Sequence, residues 1–340
     1  MTTTVPVEII LAGGHVPVDL NNIFITGADP VRRVEAAEDA GYPRNICGWI
    51  KGLYSTVVDT DCVDAVVAVT QGDCSNTHAL METWQLAGVQ IIPFAYPFDR
   101  DVDMLRLQMQ KMASALEASW DRVLEVKAEL DRIRRKVAEV DRLTWEENRV
   151  GGADNHLWQI CCSDFNSDVA KFEQELDAFL AAAVTAPPRK QNLRLGYIGV
   201  PPIFPDLYDH VESMGARVVF NEVQRQFAMP YDEVDIIEQY RRYTYPHGIF
   251  YRIEDILAEA ERRQLRRDSL CAEFLLPADR RYDRAKKIRP ANPDDRRRQA
   301  GLSGCQDPSA ARRVYRNVEV RDAGVLRDGS RQSGSQDCRI

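Results

Sequence analysis

Two cysteines in the N-terminal part of the chain are placed where a thiolate could bind a metal. Cys74 lies in "GDCSNT", directly after the apolar run "VDAVVAVTQ", and Cys47 lies in "PRNICGWIKGLYS". Each precedes a segment with helical spacing, and the free N–H groups of a helix N-terminus lower a thiol pKa and donate to anionic ligands. For Cys74 taken alone, a buried core cysteine is the commoner explanation. Two such cysteines in one domain favour a shared metal site, whose further ligand must come from elsewhere in the chain or from a second subunit.

Polar residues beside these cysteines are candidates for a supporting role. Ser75 and Asn76 add hydrogen-bond donors at the helix cap that follows Cys74. Lys51 lies one helical turn after Cys47 and has two equally favoured interpretations. It neutralises the charge of a bound cluster, or it is a solvated helix lysine. His78 either supports the site from behind or is a capping or solvent-facing histidine.

The second half of the chain supplies polar and aromatic candidates at a matching position. Asn221, Glu222 and Gln224 end a predicted strand in "VVFNEVQRQF". Ligands of open parallel sheets bind outside the carboxyl ends of the strands, so we predict that these side chains face the cleft between two domains. Tyr243 and Tyr245 either line the same cleft or, as is commoner for an aromatic cluster, serve packing.

The other cysteines of the ordered part are predicted to be structural. Cys161 and Cys162 are adjacent in the sequence, which is a poor geometry for sharing one small metal site. Cys62 precedes an apolar strand and is predicted to lie in the core.

The elements that must position these residues alternate between β-rich runs and helical segments. "HVPVDL", "VDAVVAVT" and "VQIIPFAY" are predicted strands, and a long charged helix is predicted from Asp101 to about Val150. After a helix from Asp168 to Ala183 and the proline-containing "TAPPRKQ", the runs "LRLGYIGV" and "ARVVFNEV" begin a second unit. This order predicts an α/β fold with two Rossmann-like parallel-sheet domains, residues 1–187 and 188–267, and a long helical segment.

Composition sets further limits on the function. The chain has a formal net charge of −8, which argues against nucleic-acid binding, and no apolar run long enough to cross a membrane. Without the features of a signal peptide, the chain is expected in the cytoplasm, where its cysteines are thiols or metal ligands. Fourteen arginines, no histidine and no tryptophan follow from Cys271 onward, which predicts a disordered basic tail over 268–340.

Six segments of the chain resemble the 2-hydroxyacyl-CoA dehydratase and benzoyl-CoA reductase family, and among its branches the double-cubane cluster proteins most closely. They are "VPVEIILAGGHVPVDL", "CGWIKGLYS", "GDCSNTHALMET", "IIPFAYP", "NEVQRQFAMP" and "YTYPHGIFYRIEDI", between about Val5 and Arg263. The resemblance implies an iron–sulfur cluster, double-cubane or 4Fe–4S, held by three cysteines per subunit of a homodimer. It also implies that an ATP-hydrolysing iron–sulfur activator protein transfers electrons to this cluster. Cys47 and Cys74 match the first two cysteine ligands.

The third cysteine of the family has no counterpart in the chain as written. It normally lies in a segment like "IHYVQSFCFRQIED", where this chain has "DSLCAEFLLPADRR". With suitably chosen synonymous codons, a one-base shift of the latter segment encodes "IHYVQSFCFRQI". We therefore hypothesise a frameshift near Arg266, which makes everything after it out of frame. The ligand codon then falls under Phe274 and Leu275 or immediately beside them, so Cys271 is not counted as a ligand.

Two functions follow from these observations. The resemblance implies an enzyme component that either dehydrates a 2-hydroxyacyl-CoA by a reductive radical route or reduces a small unsaturated molecule, with this chain impaired by the loss of the third cysteine. The alternative is a metal-free α/β binding or scaffold protein that has kept the fold.

Overall fold

Parallel strands and intervening helices form the part of the chain that the computed structural model describes, residues 1–59, 63–190, 193–202, 206–265 and 270–272. The first elements are α1 (Val7–Ala12), α2 (Leu20–Thr26), α3 (Pro30–Asp39), α4 (Gly48–Val58), β1 (Ala65–Gln71), α5 (Thr77–Leu86) and β2 (Gln90–Ala95). They continue with α6 (Val102–Ala115), α7 (Trp120–Trp145), α8 (Gly152–Ile160) and α9 (Val169–Thr185). The last are β3 (Leu193–Ile198), α10 (Leu207–Ser213), β4 (Ala216–Asn221), α11 (Glu222–Phe227), α12 (Ile236–Arg242), α13 (Ile249–Arg262) and β5 (Leu270–Ala272).

The strands form two parallel sheets, which confirms the predicted α/β fold. In the first sheet β1 pairs with β2, with Val66 opposite Ile91. Parallel strands covered on both faces are continuous apolar runs, and β1 is buried along its centre for this reason. The second sheet has the order β4-β3-β5, with Leu195 opposite Val218 and Gly196 opposite Leu270.

The predicted single helix from Asp101 to about Val150 is two helices, α6 and α7. Glu117 has a φ of +53°, in the left-handed region that ends a helix, and the Ser119 side chain accepts a hydrogen bond from the Arg122 N–H to cap α7. The backbone of Leu116 lies close to Gly13. A Cβ on Gly13 would be only 2.4 Å from the carbonyl oxygen of Leu116. The break is therefore set by tertiary contact as well as by local capping.

The segment "HVPVDL" does not form the predicted strand. Its backbone groups bond to side chains: the Ser167 hydroxyl donates to the Pro17 carbonyl at 2.9 Å, and the Asp19 N–H donates to Asp164 at 2.8 Å. Pro17 has no N–H for a sheet ladder, and the Asp19 carboxylate caps α2 through the Asn21 N–H. A distant loop thus replaces the expected strand partner.

One hydrophobic core joins elements from both halves of the chain. The apolar stripe of α7 is buried throughout, and α12 packs on the same core. Inside it, Arg134 on α7 donates to Glu8 on α1 at 2.6 Å, and Glu8 also accepts from the Tyr240 hydroxyl of α12. The described residues belong to one unit, Met1–Asp283. The division into domains at 187 and 188 stays a prediction, and the predicted basic tail lies outside the described residues apart from β5.

Among the described residues, no helix is both long and apolar enough to cross a bilayer.

Candidate functional site

The loop between β1 and α5 presents Cys74 at the protein surface. Gly72 has a φ of +100°, and a Cβ at this position would lie 2.6 Å from Cβ of Pro246, so only glycine fits the turn. Cys74 is exposed, and its carbonyl accepts a hydrogen bond from the Thr77 N–H at 2.9 Å. The explanation of Cys74 as a buried core cysteine is therefore wrong.

Asp73 holds the shape of this turn. Its carboxylate accepts from the Cys74 N–H at 2.7 Å and from the Thr77 hydroxyl at 3.3 Å. Burial raises the pKa of Asp73 to about 6, although the hydrogen bond from Cys74 acts in the opposite direction. Asn76, the residue before α5, makes no capping hydrogen bond with its side chain. Sequence reasoning missed Asp73, although an aspartate shortly before a helix is itself a signal for such a turn.

Cys47 occupies the equivalent place before α4. It is the N-cap residue, its side chain makes no capping hydrogen bond, and it is exposed, so it is not a core cysteine either. Lys51, one turn later, is buried, and its ammonium donates to Glu38 at 2.6 Å and to the Arg44 carbonyl at 3.2 Å. Lys51 is therefore not a solvated lysine, because it ties α4 to α3 and to the loop that carries Cys47. Its part in neutralising cluster charge stays a prediction.

The helices that begin after the two cysteines pack against each other. Ile50 and Leu53 of α4 share a core cluster with Leu80 and Trp84 of α5. The Trp84 indole also donates to the Tyr54 carbonyl at 3.4 Å. Each cysteine thus stands at the start of one member of a packed helix pair.

In the second half, Glu222 forms a buried ion pair at the carboxyl end of β4. Its two carboxylate oxygens accept from the Arg252 guanidinium at 2.7 and 2.8 Å, and one also accepts from the Gly199 N–H at 3.0 Å. Glu222 is only 1% exposed, so all of its charge is balanced inside the protein. Arg252 carried no signal in the sequence, because its role depends on the packing of α13 against α11.

Tyr245 connects this ion pair to the loop of Cys74. The Arg252 guanidinium carbon lies 5.7 Å from the centre of the Tyr245 ring, and Pro246, the next residue, contacts Gly72. Burial raises the pKa of Tyr245, and the charges of Asp73 and Cys74 add to this effect while Arg252 opposes it. The Tyr245 phenol is therefore protonated and neutral at physiological pH.

Asn221 and Gln224 belong to a different polar cluster. Asn221 accepts from the Tyr208 hydroxyl at 2.8 Å, and the Gln224 amide nitrogen lies 3.1 Å from Nδ1 of His156. Burial lowers the pKa of His156 to about 4, so the imidazole is neutral at physiological pH. Of the three residues predicted at the end of β4, only Glu222 is placed next to Tyr245.

The remaining candidates have contacts that explain them without a ligand. Cys162 is buried, and burial raises the pKa of the neighbouring Cys161 thiol to about 12, which fits the predicted structural role. An imidazole nitrogen of His78 lies 2.7 Å from the Thr70 carbonyl oxygen. Tyr243 is fully buried and packs on other aromatic rings. Cys62 lies outside the described residues.

Two exposed cysteines among the described residues fit the ligand type that an iron–sulfur cluster needs. The Cys47 and Cys74 thiols are exposed, Cys47 as the N-cap residue of α4 and Cys74 three residues before α5, so an incoming metal can reach both. Within the described ranges, no group of three or more His, Cys, Asp or Glu side chains is placed to hold a metal. Cys271 is described only as backbone of β5. The described residues therefore fit two ligands of such a cluster and do not complete the set.

Comparison with known proteins gives one family match. A family model described as 2-hydroxyglutaryl-CoA dehydratase, D-component, matches residues 2–266, well over half of the chain. The search among curated proteins found no significant match.

Proposed function

This chain belongs to the 2-hydroxyglutaryl-CoA dehydratase D-component family, and from that membership we propose that it is an iron–sulfur subunit supplied with electrons by an ATP-hydrolysing activator protein. Members of this family bind iron–sulfur clusters. The observation that carries the proposal is the pair of exposed cysteines, Cys47 and Cys74, at the starts of two packed helices. A bound cluster would supply one-electron transfer at low potential.

The chain's own residues have separate tasks around such a cluster. Cys47 and Cys74 bind iron, Asp73 fixes the turn of Cys74, and Lys51 fixes the loop of Cys47 through Glu38. Ser75 is exposed and Asn76 half-buried beside Cys74, where both can donate toward a ligand.

The second half of the chain covers the site from the opposite side. Tyr245 lines the cleft next to the Cys74 loop, and the Glu222–Arg252 pair ties α11 to α13 beside it. Asn221 and Gln224 support this arrangement from the neighbouring cluster around Tyr208.

The motifs favour the double-cubane cluster branch and the reduction of a small unsaturated molecule. The other chemistry of the family is reductive radical dehydration of a 2-hydroxyacyl-CoA. In either case the intact protein is a cytoplasmic homodimer.

The third cysteine ligand is encoded out of frame. The family match ends at residue 266, next to the proposed frameshift at Arg266. In the shifted frame the cysteine codon falls at about position 275, outside the described residues, and Cys271 is not counted as a ligand.

Iron and sulfide analysis after anaerobic purification tests the proposal. The frame-repaired chain is expected to bind iron and sulfide, whereas the chain as written is expected to bind little and to aggregate, because the frameshift replaces the last part of its second domain. A stable, cluster-loaded dimer of the chain as written would contradict the frameshift. A colourless, iron-free repaired protein would instead leave the metal-free binding or scaffold protein as the function. Resequencing of the gene checks the frame directly.

A further inference from the structure

Two exposed phenylalanines lie close to Gly248, at the start of α13. Phe98 is 67% exposed and Phe250 is 52% exposed, and no other phenylalanine in the described ranges is exposed. The Gly248 N–H donates to the Phe98 carbonyl at 3.2 Å, and a Cβ on Gly248 would lie 3.5 Å from Cζ of Phe98. The Phe98 ring therefore rests on the turn that continues into Phe250. Single exposed apolar residues need no explanation, but neighbouring exposed aromatic rings are characteristic of protein interfaces. We call these two rings and Gly248 the phenylalanine surface.

Segments 96–98 and 246–248 connect the phenylalanine surface with the loop of Cys74. Hydrogen-bond contacts at positions 97 and 98 hold the two segments side by side. At their other end, a Cβ on Gly72 would lie 2.6 Å from Cβ of Pro246, so the second segment touches the Cys74 loop. Two extended residues, the length of chain between that contact and the phenylalanine surface, span roughly 7 Å. A protein bound to this surface is therefore close to the proposed cluster ligand Cys74.

Carboxylates surround the phenylalanine surface. Asp99 and Asp101 follow Phe98 in the chain, and Glu254 comes one helical turn after Phe250 on α13. All three side chains are exposed, and none forms an ion pair with another residue of the described ranges. Asp99 and Asp101 instead accept hydrogen bonds from backbone N–H groups. The negative charges are therefore free to act on a partner.

Two cations lie in the same stretches, 98–101 and 250–254. The Arg252 guanidinium is neutralised by Glu222, and the Arg100 guanidinium carbon is stacked 3.8 Å from the centre of the Tyr251 ring. One unneutralised cation against three carboxylates leaves the surface negative. Like charges across an interface repel, so the surface disfavours a second copy of itself and favours a partner with basic residues.

We propose that the ATP-hydrolysing activator protein docks on the phenylalanine surface, with basic residues around an apolar recess that takes the two rings. This inference rests on the proposed function, in which one electron leaves the activator, which is oxidised, and reduces the cluster of this chain. Electron transfer slows steeply with distance, so the donor must dock close to the cluster ligands. The phenylalanine surface combines this position with exposed aromatic rings and a negative rim.

Reduction of the cluster by the activator and ATP tests the proposal in the frame-repaired full chain, purified anaerobically. The probe is an activator that reduces the wild-type protein, and the measured quantity is the rate at which the visible absorbance of the cluster bleaches. The double variant Phe98→Ser, Phe250→Ser should be reduced at least about tenfold more slowly, because aromatic anchors carry much of the affinity of an interface. Titanium(III) citrate, a small reductant that needs no docking, should reduce this variant at the wild-type rate.

The matched control is the double variant Leu86→Ser, Val184→Ser. These side chains are 89% and 53% exposed, at the ends of α5 and α9. Leu86 comes before the start of β2, whereas Phe98 follows the end of the same strand, so the two lie toward opposite ends of it. The activator should reduce the control at the wild-type rate. Equal rates for the two double variants would overturn the proposal.

The charge of the rim is tested separately, so that the proposal stays falsifiable if the phenylalanine variant does not fold. Glu254→Lys should slow reduction by the activator, most strongly at low salt. Glu175→Lys, at another exposed helix position without an ion pair in the described ranges, should not. Equal rates for these two variants would likewise overturn the docking surface. A repaired wild-type protein that binds no iron, or that no activator reduces, contradicts the proposed function itself.

Discussion

Arg252 on α13 donates to both carboxylate oxygens of Glu222 on α11, at 2.7 and 2.8 Å, in a pair whose carboxylate side chain is only 1% exposed. Replacing Arg252→Met leaves a carboxylate buried without its cation. Removing one partner of a buried pair costs about 3–5 kcal/mol of unfolding free energy, which denaturant titration measures.

An exposed pair is the control for this prediction. The Arg122 and Glu125 side chains, 46% and 65% exposed, are 2.9 Å apart on α7, and Arg122→Met should change the free energy of unfolding far less than Arg252→Met, because water screens the exposed pair. The double variant Arg252→Met, Glu222→Gln should recover part of the lost stability. If Arg252→Met and Arg122→Met cost the same, the pair does not hold α11 and α13 together.

Cys74→Ala is expected to abolish iron binding in the frame-repaired protein, and Cys47→Ala to lower it strongly, because each removes a thiolate ligand. Iron content after anaerobic purification is the measurement. Cys161→Ala is the control, since its thiol is half-buried and its pKa is raised to about 12. Full iron content in Cys74→Ala would mean that the site lies elsewhere.

Gly72→Ala should destabilise the protein more than Gly88→Ala. Both glycines have positive φ, at +100° and +84°, so both substitutions carry the left-handed penalty of about 1–2 kcal/mol. Only at Gly72 does the added Cβ meet another residue, Pro246 at 2.6 Å, whereas no atom lies within 4 Å at Gly88. The difference in unfolding free energy between the two variants measures this clash. Equal losses would show that the Cys74 loop and the Pro246 segment are not in close contact.

Deprotonation of Asp164 should lower the free energy of unfolding as the pH rises from about 4 to about 6. Burial, with the nearby Asp19, raises the pKa of Asp164 to about 6, above its ordinary value of 3.8. The folded state therefore holds this proton more tightly than the unfolded state, and the stabilisation is complete below pH 3.8 and lost as the pH passes 6.

Denaturant titrations at pH 4.5 and 6.5 check this prediction against Asp164→Asn. Other carboxyls change stability with pH as well, so the informative quantity is the difference between wild type and variant at each pH. The free energy of unfolding of the variant minus that of the wild type should be larger at pH 6.5 than at pH 4.5. A constant difference would mean that Asp164 titrates normally.

Local patterns in the sequence were sufficient for four strands and for the helix that begins near Asp168. The runs of β1, β2, β3 and β4 are strands because β-branched and aromatic residues form a continuous buried surface. Local patterns failed to predict the segments whose structure depends on contacts with a distant part of the chain. "HVPVDL" is no strand because Asp164 and Ser167 bind its backbone, and the helix predicted from Asp101 is broken where Leu116 meets Gly13.

The sequence by itself determined the parallel α/β fold, the family, and the two cysteines that precede helices, because each depends on residues close together in the chain. Only the tertiary structure decided what surrounds them. It paired Lys51 with Glu38, placed Glu222 beside Arg252, and turned Asn221 and Gln224 toward Tyr208. Neighbouring residues on a short helix such as α11 point in different directions, and which direction meets a partner depends on how distant helices pack.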